Sequence, residues 1–399
     1  MRTKLILLLM LLSSCIILSS CIPSQQLNSR ALVQAIGLDY ENDEIQLTLQ
    51  IFSPAAEGAN GLGASSKNAK IIESQGKTIS EAVQNANLVQ GKEVFVGHNR
   101  IIILGTNFVQ NKLNEALSYF SSIQIARKNA SIVIGESKAS EIIKADINQG
   151  ILPAETLQKI IENNSNKGLI ENIMFYEFVR AYQSDEEGAL LPVFSLNQSK
   201  QTIPTVTNQN EKKNKGETLE KVSNLQISGM AVLKQGKIVG KLDENETQGV
   251  LWIRNTIQNT KLVTSTDKFK IISLDFYHTK SKITPSINGD NIKLIINIDC
   301  QSTLNEAILY EHSNITSSDI QDIKKVAAKK IEEKCLKAYN KTINEYNVDV
   351  LNFGRIIEKN DKELWKKLKN NWEDNAHKIK FEIHASVDTN RVGLNFEKS

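Results

Sequence analysis

Asn288-Gly289 stands between two long runs of alternating apolar and polar residues, 270–284 and 292–301. Asn-Gly readily takes up the backbone of a tight turn, so this stretch reads as a long β-hairpin. In its second arm Ile292, Leu294, Ile296, Ile298 and Cys300 share one face, which makes Cys300 a small buried hydrophobe. The alternation returns near the end of the chain, where Ile379, Phe381, Ile383, Ala385 and Val387 interleave with Lys380, Glu382, His384, Ser386 and Asp388. Between these strands the spacing predicts a long helix over 318–346. Val326, Ile331, Cys335, Tyr339 and Ile343 form its apolar stripe, and Lys324, Lys325, Lys329, Lys330 and Lys334 lie toward solvent. Leu364, Trp365, Leu368 and Trp372 mark a second amphipathic helix. A hairpin of 225–233 and 237–241, turning at Gln235-Gly236, opens this half, which reads as α+β.

The first half alternates strands with helices. Runs at 31–38 and 45–52 form a hairpin around residues 41–44, and the Gly-, Ala- and Ser-rich stretch 53–68 reads as a loop. Thr78-Ile79-Ser80-Glu81 fits a capping box opening a helix to about Gln90. Wholly apolar runs at 100–104 and 131–134 suit interior strands. Helices are expected over 107–119, 138–146, 154–163 and 169–182, so this half is mixed α/β with helices packed on a sheet. From 195 to 224 the apolar pattern fades and residues 208–216 are wholly polar apart from Gly216. The expected organisation is residues 1–21 as a signal, 22–195 as an amino-terminal domain with room for two subdomains, 196–224 as a linker, and 225–396 as a carboxy-terminal domain.

The signal has its own logic. Arg2 and Lys4 precede an apolar run at 5–12 that resumes at 16–18, the pattern of a secretory signal. Serines interrupt the run and no basic cluster follows, which separates it from a spanning helix. Leu-Ser-Ser-Cys occurs twice, ending at Cys15 and at Cys21. A cut before Cys15 leaves an apolar core of eight residues and strands Ile16-Ile17-Leu18 on the mature chain. A cut before Cys21 uses the whole run and leaves Pro23-Ser24-Gln25-Gln26 as a polar tether. Cys21 is therefore the expected lipid-modified residue, holding an otherwise water-facing body to a membrane.

Removing Arg2 and Lys4 reduces 48 basic residues to 46, against 45 acidic ones. That balance argues against nucleic acid as a partner. No catalytic residue, metal ligand or cofactor is assigned. His98, His278, His312, His377 and His384 make no His-x-x-x-His spacing, and no Cys-x-x-Cys occurs. By period His278 shares a face with Ile272, Leu274 and Phe276 as a core-edge histidine, while His98 falls in the turn before a strand. Gly61-Leu62-Gly63 lacks the third glycine of a phosphate loop, since Ser66 stands there. Asp185-Glu186-Glu187 reads as a solvated acidic loop. The lysine run of 324–341 reads as a solvated helix face, with anionic lipid headgroups as its second reading. Cys300 and Cys335 leave a disulfide open, because spacing alone does not set their separation.

An ordered set of segments carries a family resemblance. Ile227-Ser228-Gly229-Met230-Ala231-Val232-Leu233, Lys237-Ile238-Val239-Gly240-Lys241-Leu242 and Glu246-Thr247-Gln248-Gly249-Val250-Leu251-Trp252 come first. His278 to Pro285, Phe353-Gly354, Leu364-Trp365, Asn371-Trp372 and Arg391-Val392-Gly393-Leu394 follow in order. Toward the amino terminus stand Ile36-Gly37-Leu38-Asp39 and Gly97-His98. The set resembles the Ger(x)C spore-germination lipoproteins, the C subunits of GerA-type nutrient germinant receptors. One departure is Cys21-Ile22-Pro23, where many of that family carry tryptophan and an acidic residue. The resemblance implies several mixed α/β domains without enzymatic activity. It also implies a lipoprotein at the outer face of the spore inner membrane, assembled with integral-membrane A-type and B-type subunits. It assigns no ligand-binding residue. The alternative is a solute-binding lipoprotein that delivers a nutrient to a membrane transporter.

Overall fold

The computed structural model describes residues 30–52, 69–122, 129–145, 153–184, 188–200, 221–288, 291–310 and 315–392. Strands β1 (Arg30–Glu41) and β2 (Glu44–Phe52) form the expected hairpin, with Asn42 and Asp43 at φ 50° and 61° making its tight turn. β3 (Ala69–Gly76) pairs with β2 at the sheet edge. Helix α1 (Ile79–Gln90) begins as the sequence indicates, with the Glu81 amide donating to Thr78 Oγ1 at 3.1 Å. The return half of the box differs: the Glu81 carboxylate accepts from the Lys77 amide at 2.8 Å, one residue before the cap.

β4 (Glu93–Phe95), β5 (Ile101–Gly105) and β6 (Ser131–Gly135) bracket α2 (Thr106–Ser122). β4 and β5 each run parallel to β1, and β6 runs parallel to β5. Every residue of β5 and β6 is buried, which is why both segments are apolar without alternation. Short helices α3 (Ala139–Lys144), α4 (Pro153–Asn166) and α5 (Phe175–Tyr182) follow. The expected helix over 169–182 is shorter, because its first residues belong to the sheet side. Met174 bridges to Ser131, and the Ile132 amide donates to the Ile173 carbonyl at 3.0 Å. Ile170 and Ile173 are apolar because they are buried there, not because a helix needs them.

β7 (Ala189–Lys200), β8 (Lys221–Lys234) and β9 (Lys237–Leu242) complete a nine-stranded sheet of order β3-β2-β1-β5-β6-β7-β8-β9, with β4 beside β1. The β8–β9 hairpin turns at Gln235 and Gly236, with φ of 47° and 78°. It stands in the second half of the sequence and yet extends the first sheet, pairing with β7.

After α6 (Glu244–Ile253) comes a second sheet of order β10-β11-β12-β13, formed by Thr260–Thr264, Phe269–Asn288, Asn291–Leu309 and Lys380–Val392. Asn288 pairs with Asn291, and residues 289–290 between them lie outside the described residues. Helix α7 (Ser317–Tyr339) packs on β13 and passes into a π-helical turn, Asn340–Glu345, so the expected helix changes winding at its end. Ala327 takes the buried place beside Ile323, Ile331 and Cys335, and Val326 is only half-buried. After α8 (Phe353–Asn360), the expected second amphipathic helix is divided into two short ones, α9 (Lys362–Leu368) and α10 (Trp372–Ala376). Trp365 and Trp372 are both buried, edge to face at 5.0 Å. The architecture is thus mixed α/β with two sheets and packed helices, as expected.

Cys300 and Cys335 are free buried thiols. Burial pushes the Cys300 thiol up to about 12 and drives Cys335 higher still. The thiolate is the reactive form. Alkylation of the native protein at pH 8 is therefore expected to leave both residues unmodified over a period in which the urea-unfolded chain reacts fully. Mass spectrometry showing equal labelling in both states would refute their burial.

Candidate functional site

Helix α6 joins the two sheets. Asp243 caps it, accepting from the Glu246 amide at 2.8 Å, while the Glu246 carboxylate accepts from the Asp243 amide at 2.9 Å. From Thr247 to Ile253 every residue is buried, so the helix is covered on all sides rather than along one stripe. Gly249 makes this possible. A Cβ there would land on the Lys334 carbonyl oxygen of α7, 2.6 Å from its carbonyl carbon and 2.8 Å from the Ala338 Cβ. On the far side Trp252 meets Phe276 of β11 edge to face at 5.9 Å.

Beside this contact opens a cavity of about 990 Å³. The end of α4, the start of α6, β10 with the facing part of β11, and one side of α7 form its walls. The lining carries an excess of cations, five lysines against Glu244, Asp275 and Glu333, together with the apolar Leu169, Leu262 and Phe276. Lys334 donates to the Gln248 side-chain oxygen, and Gln248 Nε2 donates to Thr260 Oγ1 at 3.3 Å. Burial lowers the pKa of the Lys334 ammonium, and the carboxylates of Glu244 and Asp243 oppose that shift. Glu333 is bound to Lys330 at 2.8 Å and Asp275 to Lys261 at 3.3 Å, so these two pairs balance and Lys167, Lys334 and Lys337 stand against Glu244. This chemistry suits an anionic group with an apolar portion. It offers no nucleophile held by a base.

A second organising point lies under the short helices. The Asp349 carboxylate is 4% exposed and accepts from the amides of Leu351 (3.1 Å), Phe353 (3.1 Å) and Gly354 (2.8 Å) and from Trp372 Nε1 (3.2 Å). Its own carbonyl accepts from the Gly188 amide at 3.1 Å, just before β7, so this knot also ties the helices to the first sheet. Next to it Lys234 of β8 reaches Glu373 at 2.7 Å. Glu171 and Arg254 form another link, 2.9 Å apart and mostly buried. Burial raises the Glu171 pKa, with Arg254 opposing.

The histidines do not converge. His98 is exposed in the turn before β5, its ring tilted against that of Phe95 with centroids 5.7 Å apart. His278 is a correction to the core-edge reading. The β11–β12 register jumps from Tyr277↔Gln301 to Lys280↔Asp299, so His278 sits in a bulge at φ 48° with its ring exposed beside Tyr277. His377 is exposed at 2.9 Å from Asn347 Oδ1, and His384 is exposed beside Glu382 at 2.8 Å. His312, the acidic stretch 185–187, the glycines at 61–63 and Cys21 lie outside the described residues. Among the described residues no group of three or more His, Cys, Asp or Glu is placed to hold a metal ion. Several lysines of the 324–341 run have acidic partners: Lys324 with Asp388 at 2.7 Å and Lys341 with Glu345 at 2.5 Å. Lys334, Gln248 and Thr260 were the residues that periodicity could not single out, because their convergence depends on which helix lies beside which strand.

Comparison with known proteins supplies what the geometry leaves open. Residues 23–196 match the family described as spore germination protein N-terminal domain, and residues 228–393 match the spore germination B3/GerAC-like C-terminal family. Spore germination protein KC of Bacillus subtilis (strain 168) is 23% identical, over 99% of this chain and 97% of that protein. Spore germination protein B3 of the same organism is 25% identical, over 94% of each. The crystal structure of the GerBC protein superposes with a TM-score of 0.57 at 18% identity, covering 89% of this chain and 96% of that one. The amino-terminal and carboxy-terminal models match in their proper order, and the shared fold runs nearly end to end: the chain belongs to the Ger(x)C family of spore-germination proteins.

Proposed function

We propose that this protein acts in spore germination as the lipid-anchored subunit of a nutrient germinant receptor. It is held at the outer face of the spore inner membrane through Cys21 and works beside integral-membrane A-type and B-type subunits. The observation that carries the reading is the ordered match of both germination families along residues 23–196 and 228–393. Two features agree with it. The signal ends in Leu-Ser-Ser-Cys at Cys21, and no helix among the described residues is long and apolar enough to cross a membrane. The subunit acts by assembly and not by chemistry of its own. The family match favours this reading over a solute-binding lipoprotein, which would require tight binding of a nutrient by the body itself.

Tethering turns docking into a near-intramolecular event, with effective concentrations of roughly millimolar for a short flexible link. Cys21→Ala is therefore expected to abolish lipidation, lower receptor abundance and strongly slow nutrient-triggered germination, while the far-UV spectrum of the body stays unchanged. Mass spectrometry of the amino terminus decides the site, and a lipid found on Cys15 would refute it. Spores that germinate normally with an unlipidated chain at matched abundance would refute the tethered role.

A further inference from the structure

We infer that the tip of α1 is a second membrane contact, which orients the body against the lipid surface to which Cys21 ties it; this rests on the lipid-anchor reading above. Leu88 and Val89 are the most exposed large hydrophobic residues among those described, at 78% and 72%. They are adjacent, at the end of a helix whose buried stripe is Ile79, Ala82 and Ala86, so neither serves the packing of α1. Gly91, at φ 68°, ends the helix directly after them.

Their position ties them to the tether. Two residues beyond Gly91 the chain enters β4, and Glu93 pairs with Arg30 at the start of β1. Arg30 is the first described residue, and it stands beside this helix tip, nine residues after Cys21 in the chain. Nine peptide steps separate Cys21 from Arg30, which at full extension span roughly 30 Å. The opposite end of the sheet, at the Asn42-Asp43 turn, lies a full twelve-residue strand farther away, about 40 Å at some 3.3 Å per residue. A lipid at Cys21 would therefore tie the body down at the end that carries the α1 tip rather than at the far turn.

The charges flanking the apolar pair fit an anionic surface. Lys92 follows the tip, Lys70 reaches Gln90 at 2.8 Å, and Arg30 lies over the Phe95 ring at 4.5 Å, with the acid Glu93 beside them. Apolar side chains that enter the interface beside lysines that stay at headgroup level are the usual form of a peripheral membrane contact. Two side chains give only a weak interaction alone. The tether makes it sufficient, because the body never leaves the surface.

The test uses the full lipidated chain on vesicles of phosphatidylglycerol and phosphatidylethanolamine that contain a diazirine phospholipid. After photolysis, adducts are mapped by mass spectrometry. Adducts at Leu88 and Val89 are expected at least tenfold above those at Asn42-Asp43. Leu88→Asp with Val89→Asp is expected to erase that ratio while the protein still floats with the vesicles and unfolds at the same temperature. A chain that floats but labels both ends equally overturns this contact and leaves the anchor intact. A preference that appears only when membrane partner subunits are added overturns it in favour of a protein interface. A chain that fails to float overturns the anchor and this inference together.

Discussion

Asp349→Ala is expected to lower the stability of the protein by about 4 kcal/mol. The wild-type carboxylate accepts three amide hydrogens and the Trp372 indole hydrogen, and the residue is 4% exposed. Hydrogen bonds to a charged acceptor contribute more than neutral ones, and each donor left buried without a partner costs about 1–3 kcal/mol. Removing the acceptor leaves the amides of Leu351, Phe353 and Gly354 with no replacement, at the point where the chain turns into α8. The measurement is urea unfolding, with the midpoint lowered and the slope unchanged. Asp349→Asn is expected to fall between, because its amide nitrogen presents hydrogens to two of the donors. Trp372→Phe removes one bond only and should cost about 1 kcal/mol. If Asp349→Ala unfolds within 1 kcal/mol of wild type, the carboxylate is not the organising group.

Gly249→Ala is expected to destabilise by about 2–3 kcal/mol, although alanine favours helix by about 1 kcal/mol over glycine. Overpacking wins because the obstacle is backbone. The new methyl meets the Lys334 carbonyl group, which cannot rotate away as a side chain would. The helices must separate, and the burial of Val250, Leu251, Trp252 and Ile253 is loosened with them. Lys334 and Gln248 lie on the same contact, so the cleft should widen as well. Thermal unfolding with hydrogen exchange across α6 and α7 measures both effects. A variant as stable as the parent, with unchanged exchange, would show that the helices do not need this approach.

Much of the fold was legible because strand alternation and helix periodicity are local properties. The faces of β12 and β13, the buried Cys300, the β1–β2 hairpin and the apolar interior strands each announce themselves within a dozen residues. The Leu-Ser-Ser-Cys stretch that ends at Cys21 is likewise a linear pattern, and the proposed attachment at Cys21 rests on it. The sequence by itself therefore determined the class of the elements and the expected point of attachment.

The tertiary structure decided which elements meet. The β8–β9 hairpin carries no local mark saying that it joins the first sheet, and α6 shows no stripe because it is buried all round. Asp39 reads as a polar residue at a strand end, yet it caps α3 across 100 residues, accepting from Ala139 at 2.8 Å and Ser140 at 2.9 Å. Burial raises its pKa, and those two amides counter the shift. His278 was misread because a bulge two residues long breaks the period that assigned its face. The cleft lysines looked like one solvated surface until β10 and α6 were set against them. In each case the missing information is a pairing between distant segments. Such pairings follow from the summed burial and hydrogen bonding of the whole chain, which no local window contains.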